Sequence, residues 1–533
     1  MKIVTADEMR EIDRRTMESH GVPYLQLMES AAARLVQYVR EQALSIESER
    51  VVVLCGKGNN GGDGLAFARL WLEATNQAPR VFLFSDPGQL RGDPAANCGR
   101  LREAGVEPTV VLSEADIATV REALGAADCI VDALLGTGLR GAAEGLPAAA
   151  IDAVNQRTGN AVVVSVDIPS GLISDGKRAD GAVIRADHTV TFTAPKAGLV
   201  ADGSARWVGR LTVAQIGSPW RVIEEVSSSR WRWLEPMEFR SLPLERKRDA
   251  HKGDFGHVLI AAGSRGKAGA AGLAGMGSLR AGAGLTTVAT PESSLNVVGS
   301  YAPEYMTEPL AETELGTIGL RSLEYGKFDA LMKGKSAVAI GPGLSTLPET
   351  QEFVRTVVSR CPLPIVLDAD GLNAYAGRAD ELRKRSSPSL AVTPHPGEMA
   401  RLCGVTVEEV QSHRSELALA SAARWNVYVI LKGYHTLIAT PQGELFINPA
   451  GTPAMASGGT GDVLTGVLAA VTAQFGTSDW GRVLGLGVYL HGCAGLVAEA
   501  RGASLASDLA HAVQRVRSEL SQRPRDESTL TFC

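Results

Sequence analysis

The stretch of the chain richest in chemistry runs from Asn448 to Gly466, NPAGTPAMASGGTGDVLTG. It passes from turn residues through Ser457-Gly458-Gly459-Thr460-Gly461-Asp462 into the apolar run Val463–Phe475, which predicts a buried helix. Glycines that open a helix leave backbone N–H groups without intrahelical partners. With the positive end of the helix dipole, these groups favour an anion such as a phosphoryl group. A carboxylate at that spot repels phosphate unless it serves as a base on an attacking hydroxyl or holds a cation, so Asp462 calls for a role of that kind. The plainer reading is a glycine-rich turn with Asp462 as its helix cap. Glycines and an acid at such close spacing favour the phosphoryl reading.

Other polar sets stand at the ends of apolar runs in the first half. Val51–Cys55 ends in Gly56-Lys57-Gly58-Asn59-Asn60-Gly61-Gly62-Asp63-Gly64, a glycine loop between a strand and a helix that carries two asparagines and an aspartate beyond what a tight turn needs. Asp132 lies in Val131-Asp132-Ala133-Leu134-Leu135-Gly136-Thr137-Gly138, and Asp167 in Val166-Asp167-Ile168-Pro169-Ser170-Gly171. A lone aspartate at a strand end is usually a loop cap. Several such ends on one sheet edge (Asn60 and Asp63, Asp132, Asp167 and Ser170) point to a site. The second half repeats the habit, with Gly341-Pro342-Gly343, Asp368-Ala369-Asp370, Pro394-His395-Pro396-Gly397-Glu398 and Lys432-Gly433-Tyr434-His435-Thr436 each following an apolar run.

The elements that must carry these residues alternate between short apolar runs and helical patterns. That predicts α/β architecture with doubly wound parallel sheets, ligands lying at the carboxyl ends of the strands. Thr5-Ala6-Asp7-Glu8 is a capping box that opens an N-terminal helix. Gly263–Gly284 is so rich in Gly and Ala that a helix pressed closely on its neighbour is expected. A length of 533 residues calls for more than one core. The pattern changes after Ile216-Gly217-Ser218-Pro219, so we expect domains over 1–222 and 236–533, with a linker over 223–235 that Trp231 and Trp233 anchor. A net charge of −6 gives no support to nucleic-acid partners or to attraction by an anionic membrane. The seven cysteines form no CxxC pair and suit a reducing compartment, Cys55 and Cys129 as core residues and Cys533 as a tail thiol. Met1–Arg15 is charged and lacks the apolar core of a signal peptide, and a cytoplasmic location is expected.

The motifs KGNNGGDG, VDALLGTGLRG and SVDIPSG behind the MREIDRRT helix resemble the NAD(P)H-hydrate epimerase domain, a Rossmann-like unit, over about residues 1–220. That resemblance implies that Asn59, Asn60, Gly61, Gly62 and Asp63, with Gly136, Thr137, Gly138, Leu139, Arg140 and Gly141, hold the hydrated nucleotide. It makes Asp167 a substrate contact and the acid/base candidate, and it implies potassium ligands in Asn60, Asp132 and Ser170. One departure is Leu27-Met28-Glu29-Ser30-Ala31-Ala32, where Ser30 replaces an asparagine of the family pattern.

From about residue 236 onward the chain resembles the ribokinase-like NAD(P)H-hydrate dehydratase. This implies that Lys432, Gly433, Tyr434, His435, Thr436 and Gly461 bind ADP or ATP. Ala270, Gly343, His395 and Asp462 would contact the hydrate, with Asp462 as the base on its hydroxyl. Glu398, three residues after His395, is expected to reach magnesium through water. Asp368 and Asp370 are either strand-end caps or outer groups of a metal site. The expectation is a bifunctional enzyme that repairs hydrated NADH or NADPH with K+, Mg2+ and an adenine nucleotide. It is expected to be a homo-oligomer with neither nucleic acid nor membrane as partner. Two alternatives stand beside it: a conventional small-molecule kinase in the second half, and a first half that binds nucleotide without chemistry.

Overall fold

The computed structural model describes residues 1–43, 50–176, 181–503 and 505–522, so Cys533 lies outside the described residues. The chain forms two compact units that divide between Ser229 and Arg230. Segment 223–235 is not free chain. The helix Trp220–Val226 closes the first unit, and a strand over Trp231–Trp233 belongs to the second. A three-residue strand is too short for alternation to show in the sequence.

The first unit is built on one parallel sheet of seven strands: β1 (Val51–Cys55), β2 (Arg80–Leu83), β3 (Thr109–Val110), β4 (Cys129–Ala133), β5 (Val162–Val166), β6 (His188–Phe192) and β7 (Arg210–Ala214). Their spatial order is β3-β2-β1-β4-β5-β6-β7. Every residue of β1 and β4 is buried, as their unbroken apolar runs require of strands covered on both faces. The order reverses between β1 and β4, which opens a crevice beyond their carboxyl ends. The N-terminal helix Ala6–His20 carries the expected capping box of Thr5 and Glu8.

The second unit holds a ten-stranded sheet made from β8 (Trp231–Trp233), β9 (His257–Ala261), β10 (Leu285–Pro291), β11 (Met306–Leu310), β12 (Ala337–Ile340), β13 (Ile365–Leu367), β14 (Leu390–Val392), β15 (Tyr428–Leu431), β16 (Leu437–Ala439) and β17 (Leu445–Ile447). The order is β11-β10-β9-β12-β13-β14-β15-β16-β17-β8, with β15, β16 and β17 paired antiparallel and the other pairs parallel. Here the reversal lies between β9 and β12. The tryptophans edge the sheet: β8 pairs with β17, and Trp233 is buried with its ring edge-on to His435 at 5.2 Å between centroids.

The helix Thr460–Phe475 runs through this core against the Gly/Ala-rich helix Ala268–Arg280. Their closeness depends on missing side chains. A Cβ on Gly466 would lie 1.9 Å from the Ala274 carbonyl oxygen, and one on Gly277 would lie 2.4 Å from that of Val463. Gly466→Ala must therefore push two backbones apart. It is expected to cost about 3 kcal/mol despite alanine's better helix propensity, read as a lower thermal midpoint of the second unit. The helix Trp480–Glu499 is long and apolar enough to cross a bilayer, but 78% of its most apolar window is buried inside the unit. It acts as a core helix.

Candidate active sites

In the first unit a cavity of about 920 Å³ opens at the reversal between β1 and β4. Asn59, Asn60 and Asp63 line it from the loop and helix after β1, Gly136 to Leu139 from the loop after β4, and Asp167 from the end of β5. Arg140 pairs instead with Asp7 and Asp175 at 3.5 Å each, and Gly61, Gly62 and Gly141 are outside the lining. Gly61 is required on steric grounds. A Cβ there would sit 1.9 Å from the Gly56 carbonyl oxygen, so only glycine lets the loop close on itself. Ser30 is also absent from the lining, although Leu27, Met28 and Ala31 of the same helix are present.

Asp167 sits at φ +62°, a left-handed conformation uncommon outside glycine and better tolerated by Asp than by most residues. Its Oδ1 accepts from the Thr191 hydroxyl (2.9 Å), the Phe192 N–H (3.2 Å) and the Lys196 ammonium. All three donors fall on Oδ1, so Oδ2 is the oxygen they leave uncommitted. Lys196 is only 1% exposed and also donates to Thr191 Oγ1 and the Phe192 carbonyl, both at 3.0 Å. Sequence reasoning missed Lys196 and Asp13. Asp13 lies on the N-terminal helix one turn beyond Met9, and both line the cavity; the spacing puts them on one face, and only the fold shows that this face covers the cavity. Burial, then the Asp167 charge, pushes the Asp13 carboxyl up to about 6 against the pull of Lys196. Asp63 is raised well above the usual carboxylate range, first by burial and then by Asp167 and Asp13.

The three expected potassium ligands come together. The Ser170 hydroxyl donates to Asp132 Oδ1 at 2.5 Å, while Asp132 Oδ2 accepts from Ser165 Oγ (2.8 Å) and the Ser170 N–H (2.9 Å). Asn60 donates through Nδ2 to the Leu135 carbonyl at 3.0 Å, and its buried Oδ1 has no hydrogen-bond partner. The Ser170 hydroxyl also reaches the Leu135 carbonyl, at 3.2 Å, so an orphaned amide oxygen, a hydroxyl and one carboxylate converge on one segment, a set of oxygens that fits a hard, weakly charged cation without demanding a divalent ion.

In the second unit a cavity of about 490 Å³ is lined by Ala270, Gly343, Gly458, Gly459, Asp462, Lys267 and Asp370. Three expected substrate contacts, Ala270, Gly343 and Asp462, thus meet at one place. His395 is outside that lining. It is half exposed and caps the helix Pro396–Cys403, its Nδ1 accepting from the Gly397 N–H at 3.0 Å.

The helix Thr460–Phe475 starts from Gly459 at φ +92°, with Asp462 in its first turn and not at its cap. Burial, then the Asp368 charge, raises Asp462 to about 7, with Asp370 and Glu398 adding to the rise and Lys432 opposing it. Lys432 Nζ donates to Asp368 Oδ1 at 2.8 Å and lies 3.7 Å from Glu398. Asp368 Oδ2 accepts from Thr465 at 2.6 Å. Burial alone would raise Asp368, but Lys432 and the Thr393 and Thr465 hydroxyls hold it below the usual range. Asp368 and Asp370 are therefore ion-paired, Asp370 with Lys267 at 3.2 Å while also accepting from the Ser345 N–H at 2.8 Å.

Glu398 accepts from the His395 N–H at 2.8 Å and faces Lys432. A carboxylate so engaged suits contact with magnesium through water better than direct ligation.

The segment Lys432–Thr436 is fixed by the Arg414 guanidinium, which donates to the Leu431 and Lys432 carbonyls at 3.3 and 3.4 Å. His435 takes φ +50° and stacks on the half-exposed ring of Tyr434 at 4.0 Å. A Cβ on Gly461 would stand 3.6 Å from Lys432 Nζ, which brings the two expected nucleotide segments together.

A family described as NAD(P)H-hydrate dehydratase matches residues 258–515, and one described as YjeF-related protein N-terminus matches residues 24–198. The Bifunctional NAD(P)H-hydrate repair enzyme Nnr of Moorella thermoacetica is 41% identical over 516 residues, covering 96% of this chain and 95% of that protein. Its counterpart in Thermofilum pendens is 39% identical over 504 residues, covering 94% and 93%. A solved ADP/ATP-dependent NAD(P)H-hydrate dehydratase from Bacillus subtilis, co-crystallized with ATP/Mg2+, is 31% identical with a TM-score of 0.46, covering 54% of this chain and 98% of that one. With relatives matched along nearly their whole length and both halves recognised, the chain belongs to the family of bifunctional NAD(P)H-hydrate repair enzymes.

Proposed function

We propose that the first unit interconverts the R and S hydrates of NADH and NADPH, and that the second dehydrates the S hydrate at the expense of ADP or ATP. The observation that carries the second step is Asp462, a carboxyl near pKa 7 in the first turn of a glycine-opened helix. It takes the hydroxyl proton as that oxygen attacks the terminal phosphorus. The N–H groups of Gly458 to Gly461 and the helix dipole stabilise the charge of the transferring group. Expulsion of phosphate then leaves an iminium ion that loses a ring proton to restore the reduced, dihydronicotinamide ring. Glu398 would hold magnesium through water, and the ion would supply positive charge to the phosphate groups. Lys432 to Thr436 and Gly461 hold the nucleotide, with Tyr434 as the exposed platform.

In the first unit Asp167 is the base on the hydrate hydroxyl, oriented by Lys196. Asn60, Asp132 and Ser170 would hold potassium, which would supply positive charge at the carboxyl ends of β1, β4 and β5, where they stand. The free thiols of Cys55, Cys98, Cys129, Cys361 and Cys403 support a reducing, cytoplasmic setting.

The test is recovery of reduced-nicotinamide absorbance from an R/S mixture of NADH hydrate with ADP, magnesium and potassium. Recovery of the whole mixture supports both activities, recovery that stops at the S fraction leaves only the dehydratase, and a stable phosphorylated product would mark a conventional kinase. Asp167→Ala is expected to slow epimer exchange about 10²-fold or more while the S fraction is still dehydrated; normal exchange in that variant would remove Asp167 from the role.

A further inference from the structure

The first-unit cavity contains more acid than a single base requires. Asp13, Asp63 and Asp167 all line it, and the one buried cation among them, Lys196, is committed to Asp167. Neither the Asp13 nor the Asp63 carboxyl has a hydrogen bond or ion pair to the described residues, so nothing among those residues uses these carboxyls. Asp13 is electrostatically coupled to Asp167 and Lys196, and Asp63 to all three. Other groups facing this space are Arg10 on the same helix and the Tyr24 hydroxyl, raised by burial and by Asp13. Lys57, Asp86, Asp93 and Glu144 line it farther along the chain.

Epimerisation needs a proton donor as well as a base. The hydrate hydroxyl sits on the carbon bonded to the ring nitrogen, so inversion can proceed by opening the ring. The base removes the hydroxyl proton, the oxygen pair forms the carbonyl bond, and the carbon–nitrogen pair moves to nitrogen, which takes a proton. Closure on the other face of the carbonyl reverses each transfer, and no other reactant is consumed. Resting on the reading of this unit as an epimerase, we propose that Asp13 is the carboxyl that gives the ring nitrogen its proton. A carboxyl without partners among the described residues, lining the same cavity as the Lys196-bound Asp167, is placed to act as that donor. Burial favours its neutral form.

The experiment measures R/S exchange in the full chain without adenine nucleotide, across pH, for the unsubstituted protein and Asp13→Asn. Exchange in the unsubstituted protein should fall as pH rises past about 6, the value of Asp13. Asp13→Asn should lower kcat about 10²-fold and leave KM within about threefold, and the residual rate should lack that alkaline fall. A second reading separates chemistry from structure. Because the folded Asp13 binds its proton more tightly than the unfolded one, its contribution to stability is present in acid and lost as pH rises through about 6. Asp13→Asn should therefore match the unsubstituted midpoint in acid and exceed it at pH 8. A full exchange rate in Asp13→Asn, a loss confined to KM, or an unchanged alkaline fall would each overturn the proposal. If Asp13→Asn unfolds, Asp13→Glu decides: exchange retained with a shifted alkaline limb supports it, and an unshifted limb overturns it. Absence of exchange in the unsubstituted chain overturns the epimerase reading itself.

Discussion

Asp462→Asn is expected to lower dehydration of the S hydrate by about 10³-fold while R/S exchange in the same protein stays at its original rate. The side chain keeps its shape, so the first turn of the helix Thr460–Phe475 and the glycine amides ahead of it remain in place. What is lost is the base. With a carboxyl raised to about 7, the unsubstituted enzyme should gain dehydration rate as pH rises through neutrality, and the residual rate of the variant should lose that rise. The stability effect runs in the opposite sense. A carboxyl raised in the folded state contributes stability that is complete below its unfolded value and is lost as pH rises through about 7. Asp462→Asn should therefore melt higher than the unsubstituted protein at pH 8 and equally in acid. An active and unshifted variant would exclude Asp462 as the base. Loss of activity together with loss of stability at pH 8 would make it a structural residue.

How much of this could be read beforehand depends on where each residue stands. Asp462 was legible because glycines immediately before an apolar helix have few structural explanations. Asp132, Asp167 and Ser170 were legible because they interrupt apolar strands at the edge where α/β sheets bind ligands. Asp13 was not, since a polar residue on an amphipathic helix looks like its solvent face until the helix is placed over the cavity. Lys196 follows Thr-Ala-Pro in a loop with no periodicity, and only its 1% exposure reveals that it is not a surface lysine. Lys432 was legible as a nucleotide residue by resemblance, but its bond to Asp368 joins segments 64 residues apart. The edge strand Trp231–Trp233 was hidden by its brevity. His395 was expected as a substrate contact by resemblance, and the structure uses it as a helix cap outside the cavity lining. The misses share a cause: they depend on contacts between distant segments, which local pattern does not encode.

Lys196→Met should have the largest effect in the first unit, on stability as well as on exchange. The ammonium is almost completely buried, and its three acceptors are Asp167, Thr191 and the Phe192 carbonyl. Methionine fills the space but leaves Asp167 without its cation in a half-closed cavity and leaves the Phe192 carbonyl without that donor. Removing one partner of a buried pair costs about 3–5 kcal/mol, and the thermal midpoint of the first unit should fall accordingly. R/S exchange should fall about 10²-fold or more because the base is no longer oriented, while dehydration of the S fraction continues. Lys196→Arg should not restore exchange, since a planar guanidinium cannot place three donors around the position of one nitrogen. The charge argument is separable from simple packing. Adding Asp167→Asn to Lys196→Met removes the uncompensated carboxylate, so the double variant should regain much of the lost stability and none of the exchange. A double variant as unstable as Lys196→Met alone would mean that the lysine stem and its bonds to Thr191 and Phe192, not the ion pair, hold the end of β5 against β6.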